Sequence, residues 1–361
     1  MAIIAQTSAY IPGDRSKLGW SALVVLTFTL VVLTILSITQ GASDLSASRL
    51  VGTLIDWLSG KEDFISRKDA VILFDIRLPR LTMGVLVGAA LATSGACLQG
   101  LFRNPLADPG IIGVSAGATL AAIIAIVLGN SIFAPLEAIL GSYLLPAFAF
   151  IGSLFTTVLL YVIATSQGQT SVATMLLAGI ALAAILGAGA GLLTYISDDQ
   201  QLRDLTFWSM GGLGGATWGK VLTCLPFIAI SLIAIPFFAK GLNALLLGDH
   251  QARHMGIPVQ RLKRFLVVCI ALAVGAAVSV SGTIGFVGII VPHVLRLVIG
   301  PDHRFLLPAS ALLGAILLIV ADMMARTIAA PAELPIGIIM SAIGGPFFLW
   351  LLLKNKRVLA L

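Results

Sequence analysis

The chain has 361 residues, of which 58% are hydrophobic and only 11% charged, and its mean hydropathy is +1.06. Soluble domains usually contain about 25% charged residues, so this composition excludes an ordinary soluble protein and indicates an integral membrane protein. The formal net charge is +6, and its meaning depends on where the basic residues lie.

Ten charge-poor stretches are long enough, or nearly so, to cross a bilayer, whose apolar core of about 30 Å needs roughly 20 apolar residues in a helix. Open sheet edges are not viable in lipid, and the stretches lack the alternating pattern of a barrel, so each is predicted to be a helix. We therefore predict an all-α integral membrane protein with a single transmembrane domain over 1–361. The predicted spans are 18–40, 78–102, 110–129, 142–165, 172–196, 219–239, 263–284, 285–299 (short for a span), 306–328 and 335–353.

The basic residues of the loops predict how these spans are oriented. With a cytoplasmic N-terminus, the cytoplasmic side receives 13 of the 22 Lys and Arg residues but only four of the 16 Asp and Glu residues. Short cytoplasmic loops of membrane proteins carry an excess of Lys and Arg. Both termini are therefore predicted to be cytoplasmic. The excess of Lys and Arg on this side accounts for the positive net charge, so no nucleic-acid partner is needed to explain it.

The second span and its flanks contain four short motifs in a fixed order. They are Arg77-Leu78-Pro79-Arg80, Val87-Gly88-Ala89-Ala90, Ser94-Gly95 and Asn104-Pro105-Leu106-Ala107. In this combination they resemble the permease subunits of the FecCD family, which belong to ABC importers of iron chelates, heme and cobalamin. The resemblance extends from Leu73 to Lys354 and implies the type II ABC importer permease architecture.

The resemblance also implies the partners. Such a permease lies in the bacterial inner (plasma) membrane as a homodimer, with two ABC ATPase subunits and a periplasmic substrate-binding protein. ATP and magnesium are expected in the ATPase, and no cofactor, metal or enzyme activity is expected in this chain. The sequence Gly214 to Lys220 does satisfy G-x-x-x-x-G-K, but Val221 replaces the Ser or Thr that would hold magnesium.

An internal repeat is indicated by a nine-residue likeness. Residues 87–95 reappear as residues 274–282, and at the same offset Pro105 corresponds to Pro292. In the predicted topology the two copies run in opposite directions, which is the pattern of an inverted repeat. The predicted halves are 75–197 and 263–353, and chance similarity of two small-residue helices is the alternative.

Arginines mark the outer ends of two spans. Arg77 and Arg80 precede the second span, and Arg326 ends the ninth. In the family, arginines at these positions meet acidic knobs on the two lobes of the binding protein, so the resemblance implies a docking role for all three. Exposed complementary charges mainly guide encounter and register. Anchoring to lipid headgroups is the alternative.

The predicted outer mouth of the path follows the fifth span. Arg203 lies there and could attract an anionic solute such as heme through its propionates. It could equally pair with Asp199 or Asp204 and brace the gate. The residues that follow, Trp208, Met210 and Gly211, resemble the outer gate segment of the family.

The longest basic segment on the cytoplasmic side, 240–264, is the predicted contact for the ATPase. Its residues Gly248, Asp249, Ala252, Arg253 and Gly256 resemble the coupling helices of the family. Asp249 near a helix start would interact favourably with the positive end of the helix dipole. His250 and His254 stand four residues apart, yet no third metal ligand is adjacent.

A second cytoplasmic motif resembles the G-x-x-x-P-H-x-x-R segment of the family. It contains Pro292, His293 and Arg296, with His293 interpreted as a packed or capping residue. Together with the loop after the second span, it is predicted to shape the inner gate or the ATPase contact. That loop runs from Arg103 to Pro109 and includes Asn104 and Pro105.

Few residues within the predicted spans are reactive or charged. Cys97, Cys224 and Cys269 lie in apolar stretches without paired spacing and are interpreted as small hydrophobic residues. Asp322 is an acid within a span, four residues before Arg326. Charges inside membranes are usually functional or paired, and a helix-face ion pair with Arg326 is the default interpretation.

These features predict a permease that moves an iron chelate from periplasm to cytoplasm by alternating access. Heme is the expected cargo because the Leu202-Arg203 mouth and the overall pattern look most like heme permeases. A ferric siderophore or cobalamin is the alternative cargo. A proton-coupled secondary transporter with Asp322 as the proton carrier is the alternative mechanism, and the long coupling segment argues against it.

Overall fold

The computed structural model describes residues 15–40, 52–53, 55–57, 59, 66–167 and 169–354, and these are almost entirely helical. Two short strands, β1 (Thr165–Ser166) and β2 (Gln169–Thr170), pair antiparallel. The helices are α1 (Ser16–Thr39), α2 (Leu78–Phe102), α3 (Val114–Leu128), α4 (Ala134–Leu140), α5 (Leu144–Ala164), α6 (Val172–Tyr195), α7 (Asp199–Met210), α8 (Trp218–Ala234), α9 (Ala239–Leu246), α10 (Asp249–His254), α11 (Val259–Ser281), α12 (Val287–Ile299), α13 (His303–Thr327) and α14 (Ile336–Lys354).

The ten predicted spans correspond to helices of the described residues. Seven helical stretches are long and apolar enough to cross a membrane, and α3, α12 and α14 are shorter apolar helices. The protein is therefore a multi-pass membrane protein. Two boundaries differ from the prediction because the helix continues through irregular turns: a π-helical stretch at Val71–Arg77 leads into α2, and a 3-10 turn at Ile235–Phe238 joins α8 to α9.

Helix ends follow local chemical signals. Asp198 and Gln201 form a capping box at the start of α7, each side chain accepting from the backbone N–H of the other. Asp302 caps α13 by accepting from the backbone N–H of Arg304 at 3.0 Å. Gly282 ends α11 with a φ of 67°, a conformation that a side chain would strain.

The centre of the fold is α2, which is buried along most of its length. It approaches α12 and α13 so closely that a Cβ on Gly88 would lie 2.3 Å from the carbonyl oxygen of Gly314, and one on Gly95 would lie 2.1 Å from that of Gly288. Small residues permit such backbone contact where lipid provides no hydrophobic drive between helices. The three helices therefore pack backbone against backbone.

The likeness between the two repeat segments does not extend to their local structure. Residues 87–95 lie inside α2, whereas residues 274–282 run to the end of α11, so that Gly282 lies beyond the helix. Pro105 lies in a turn, whereas Pro292 lies inside α12. Both segments make close contacts through small residues. The inverted repeat of the halves stays a prediction.

Candidate functional site

A cluster of five charged residues lies at the side predicted to face outward, and we call it the outer cluster. Asp322 accepts from Arg80 Nε at 2.9 Å and pairs with Arg326 Nε at 3.0 Å. Arg80 also pairs through Nη1 with Glu333 at 2.8 Å. The predicted ion pair of Asp322 and Arg326 is confirmed, and the structure adds a second arginine and a second carboxylate to it. Its members are Arg77, Arg80, Asp322, Arg326 and Glu333.

The outer cluster also holds the end of α1. Arg77 donates to the carbonyl of Ile38, and Arg326 donates to the carbonyl of Gln40 at 2.8 Å and to Ser37 Oγ at 3.0 Å. These bonds join α1 to α2 and α13.

This arrangement buries the three arginines. Arg77, Arg80 and Arg326 are only 7%, 8% and 8% exposed. Internal carboxylates and carbonyls accept from these arginines, so the three are not freely exposed cations. Their docking role stays a prediction. Glu333, with 47% of its side chain exposed, is the open edge of the cluster.

Three chain segments meet at the same side, and we call their contact the outer junction, comprising 208–212, 281–284 and 336–337. Gly212 N donates to the carbonyl of Ser281 at 2.8 Å, and Ile336 N donates to that of Gly211 at 3.0 Å. A Cβ on Gly282 would lie 2.1 Å from the Trp208 carbonyl oxygen, and one on Gly337 would lie 2.0 Å from that of Met210. The ends of α7 and α11 and the start of α14 thus touch through their backbones.

The structure therefore brings the predicted gate residues Trp208, Met210 and Gly211 together with two glycines that the sequence did not assign to this place. Gly282 belongs to the predicted repeat, and Gly337 lies near the start of the tenth predicted span. A glycine at the end of α11 and another at the start of α14 indicate that a close contact is possible there. They do not indicate which segment makes that contact.

A cavity of about 520 Å³ opens beside the outer junction. Its wall includes Trp208, Arg80 and Glu333, and also Lys220, whose Nζ donates to the carbonyl of Gly215 at 2.9 Å. The segment from Gly214 to Lys220 follows helix α7 rather than a strand, so it lacks the context of a phosphate-binding loop. The cavity connects the outer cluster with the predicted gate.

Arg203 is exposed on α7 and donates from Nη2 to Gln200 Oε1 at 3.0 Å. Within the described part of the chain it forms no ion pair with Asp199 or Asp204. Of the two open interpretations, the bracing ion pair is therefore not formed, and the cation stays available at the surface.

The predicted coupling residues form one short helix on the opposite side of the molecule. Gly248, with a φ of 111°, precedes α10, and Asp249 begins it. Ala252 is fully buried, whereas Arg253 is exposed, as are His250 and His254. Gly256 ends the turn by donating its N–H to the carbonyl of Arg253. Helix α10 thus has one face anchored in the protein and another available to a partner.

Lys263 fixes α10 to α11, a contact that the sequence did not predict. Its Nζ lies 2.5 Å from Asp249 Oδ2, and Lys263 is only 3% exposed. Fourteen positions separate the two residues, so no helical spacing indicates the pair. Asp249 therefore acts through this ion pair as well as through its place at the helix start.

The loop after α2 reaches the coupling helix. Arg103 is exposed with a φ of 50°, and its Nη1 lies 3.5 Å from the position that a Cβ on Gly248 would occupy. Asn104 Oδ1 accepts from the backbone N–H of Leu106 at 2.9 Å and so shapes the turn that contains the exposed Pro105.

Asp108, in the same loop, caps the turn that leads to α3. Its Oδ1 accepts from the backbone N–H of Gly110 at 2.8 Å, which favours the charged form. Burial against α12 nevertheless outweighs this bond and raises the pKa of the carboxyl above its ordinary value.

The predicted residues of α12 occupy a different place, along α2. Arg296 donates to Gln99 Oε1, and Gln99 Nε2 donates to the carbonyl of Gly288 at 3.0 Å. Pro292 is buried, and the His293 ring packs edge-on against Phe347 with centroids 5.9 Å apart. Arg296 thus ties α12 to α2, while Arg103 and not Arg296 meets the coupling segment.

A further set of contacts, at the side predicted to face the cytoplasm, joins the predicted coupling segment to α13 and α2, and we call it the cytoplasmic junction. Asn243 Nδ2 donates to Asp302 Oδ1 at 2.7 Å, and Asn243 Oδ1 accepts from the backbone N–H of His303 at 2.9 Å and from its Nδ1 at 2.8 Å. The Arg304 side chain and backbone and the Asn243 amide lower the pKa of Asp302 to about 2, outweighing the effect of burial. Its members are Gly100, Leu242, Asn243, Asp302 and His303.

Metal ligation is not supported in the residues that the structure describes. They contain no group of three or more His, Cys, Asp or Glu side chains that could hold an ion. The rings of His250 and His254 lie 5.6 Å apart without a third ligand. The three cysteines are buried free thiols, as the sequence predicted.

Comparison with known proteins places these features in context. A family model described as the FecCD transport family matches residues 29–354. The hemin transport system permease protein of Yersinia pestis is 46% identical over 92% of this chain and 96% of its own length. The cobalamin import system permease protein of Halobacterium salinarum is 45% identical over 81% of this chain and 75% of its own length.

Solved structures agree with these matches. An inward-facing metal-chelate type ABC transporter superposes with a TM-score of 0.79 at 31% identity, covering 92% of this chain and 99% of its own. A complex from Streptococcus pneumoniae superposes with a TM-score of 0.56 at 18% identity, which shows a shared fold only.

Proposed function

The chain belongs to the FecCD transport family, and on this basis we propose that it is the permease subunit of an ABC importer that brings heme into the cytoplasm. It is a transport subunit and not an enzyme, and ATP is hydrolysed by a separate subunit. The observation that carries the proposal is a likeness to import permeases along almost the whole chain. The partners are a second copy of the chain, two ATPase subunits and a substrate-binding protein.

In this proposal the coupling segment links the ATPase to the outer gate. Helix α10 exposes Arg253 and Met255 on one side and buries Ala252 on the other. Closure of an ATPase dimer would displace this helix, and the ion pair of Asp249 with Lys263 would carry the displacement into α11. The opposite end of α11 lies in the outer junction, so one rigid helix connects the ATPase contact with the gate. Alternating access then opens the two ends in turn.

We propose that the substrate-binding protein docks at the outer cluster. Because the arginines of this cluster are buried, the contact must be made at its exposed edge. An acidic side chain of that protein would compete with Glu333 for the outward donors of Arg80, because this carboxylate is the exposed one of the pair. Asp322 would stay in place between Arg80 and Arg326. Arg77 and Arg326 support this site by holding α1.

Heme is the proposed cargo, and Arg203 is the residue on this chain that suits it. This exposed guanidinium has no carboxylate partner among the residues that the structure describes, so it can meet a propionate at the outer mouth. Cobalamin is the second candidate, because permeases named for cobalamin or vitamin B12 import match this chain almost as well as the hemin permease does.

The geometry of Asp322 disfavours the proton-coupled alternative. A proton carrier must become neutral during transport, yet this carboxylate contacts the guanidinium groups of both Arg80 and Arg326. Asp322 therefore serves the ion-pair network.

Reconstitution tests the proposal. Vesicles containing the permease with its ATPase and binding protein are given heme, a ferric siderophore or cobalamin. We expect heme to stimulate ATP hydrolysis and to enter the vesicles. If only cobalamin stimulated ATP hydrolysis, cobalamin would replace heme as the proposed cargo. Uptake that persists in vesicles lacking the ATPase would overturn the ATP-driven mechanism.

A further inference from the structure

The cytoplasmic junction is a direct contact between the coupling segment and the centre of the fold. Asn243 belongs to α9, one turn before α10, and the two groups of its amide bond neighbouring residues at the start of α13. Its Nδ2 donates to the carboxylate of Asp302, and its Oδ1 accepts two hydrogen bonds from His303. No other hydrogen bond among the described residues connects α9 with α13.

His303 carries this contact onward to α2. Its side chain is fully buried, and a Cβ on Gly100 would lie only 2.5 Å from its Nε2. The same point lies 3.3 Å from Leu242 Cδ2, so α2, α9 and α13 meet above Gly100 without room for any side chain there. Such close packing favours a joint movement of α9, α13 and α2.

The amide of Asn243 is chemically suited to this place. Asp302 is an acceptor and the two His303 groups are donors, so the residue between them must donate on one side and accept on the other. Asparagine does both with a short side chain, and one of the bonds is charge-assisted, which makes it stronger than a neutral one. Asp302 stays ionised at physiological pH because its pKa is lowered to about 2.

We propose that Asn243 is a positioning residue that transmits the displacement of the coupling segment to α13 and α2 through Asp302 and His303. This proposal rests on the proposed function as an ATP-driven importer. In it, Asn243 touches neither cargo nor nucleotide. Its removal therefore uncouples ATP hydrolysis from transport and leaves both subunits assembled.

The test uses the whole complex in vesicles, with heme uptake and ATP hydrolysis measured on the same sample. Asn243→Leu keeps the side-chain volume and removes all three hydrogen bonds. We expect the complex to form and to hydrolyse ATP, while heme uptake per ATP falls at least about tenfold, as the loss of a charge-assisted and two neutral bonds implies. Asn130→Leu, at an exposed asparagine on the other side, is the matched control and should change neither quantity.

A charge exchange provides the second arm. Asn243→Asp alone places two carboxylates within hydrogen-bond distance and should also uncouple. The double variant Asn243→Asp with Asp302→Asn restores a donor facing an acceptor, since the new amide at 302 can donate and can still cap α13. We expect uptake per ATP to recover to within about threefold of the wild type.

Three results would overturn the proposal. The first is an Asn243→Leu complex with the uptake per ATP of the wild type. The second is loss of assembly together with uptake, which would make Asn243 a purely structural residue. The third is an exchanged pair that assembles but stays uncoupled. Wild-type vesicles that import neither heme nor cobalamin with ATP would instead refute the proposed function on which the inference rests.

Discussion

The two ends of the helix bundle are held together by different kinds of contact. At the outer junction, backbone meets backbone through Gly282 and Gly337, and the neighbouring outer cluster consists of buried ion pairs. At the cytoplasmic side, single side chains such as Asn243 and Lys263 connect helices that would otherwise only touch. The contacts of the outer end therefore depend on backbone approach and a shared carboxylate, whereas those of the inner end depend on individual polar side chains. This difference is consistent with the proposed gate at the outer junction and the proposed ATPase contact at the other end.

Removal of the central carboxylate should damage the outer end most. Asp322→Asn removes the carboxylate that the buried Arg80 and Arg326 share, so that Arg80 keeps only Glu333 as a charged partner and Arg326 keeps only neutral oxygens. Breaking a buried pair by removing one partner costs about 3–5 kcal/mol. We expect loss of folded protein, seen as a large fall in the melting temperature of the detergent-solubilised permease. Asp322→Asn with Arg326→Gln should recover part of the loss. A stable but inactive Asp322→Asn protein would revive the proton-carrier alternative.

A methyl group at the outer junction should have the next largest effect. Gly337→Ala would place a Cβ 2.0 Å from the carbonyl oxygen of Met210, which forces the backbone of α14 away from the gate segment. We expect about 2–3 kcal/mol of destabilisation, as for other overpacked sites, together with loss of heme uptake. Gly345→Ala in the same helix meets nothing within 4 Å and is the matched control. Equal behaviour of the two variants would contradict the close contact at the gate.

The inner ion pair should affect coupling more than stability. Lys263→Met removes a buried cation and leaves Asp249, whose side chain is 32% exposed, able to bind water. The expected loss of stability is therefore only about 1 kcal/mol, while ATP-driven uptake falls severalfold because α10 is no longer fixed to α11. Thermal unfolding and vesicle uptake measure the two effects. A loss of stability as large as that of Asp322→Asn would remove the contrast between the two ends.

The smallest effect is expected at the outer mouth. Arg203→Gln changes an exposed side chain, so stability should change by no more than about 0.5 kcal/mol. Uptake of heme should fall modestly at low salt and less at high salt, because screening already weakens exposed charges. Uptake of a second cargo, heme with esterified propionates, by the same vesicles is the control. An equal reduction for both cargoes would show that Arg203 acts on the gate and not on the propionates.

Sequence and structure agree best where a property depends on local composition. All ten spans were predicted near their observed positions, and the glycines around α10 were identified before any contact was known. The pair of Asp322 with Arg326 was also predictable, since four residues separate them on one helix face. Each of these features can be predicted from a short stretch of sequence without knowledge of the rest of the chain.

The contacts that join distant segments could not be predicted in the same way. Arg80 was assigned to an exposed surface because its motif lies at a span end, yet its partners Asp322 and Glu333 lie 242 and 253 positions away. Asn243 and Lys263 carried no signal, because neither belongs to a recognised spacing. An isolated asparagine or lysine in a basic segment looks like any solvated residue.

The sequence by itself determined that this protein crosses the membrane many times and resembles an import permease. Transfer of an apolar stretch into lipid depends on that stretch alone, and motifs keep their order along the chain. Only the tertiary structure decided which charges are buried, which glycines touch a carbonyl and which side chains join the coupling segment to α13. These depend on how helices face one another, and that geometry is set by close packing between segments far apart in the chain.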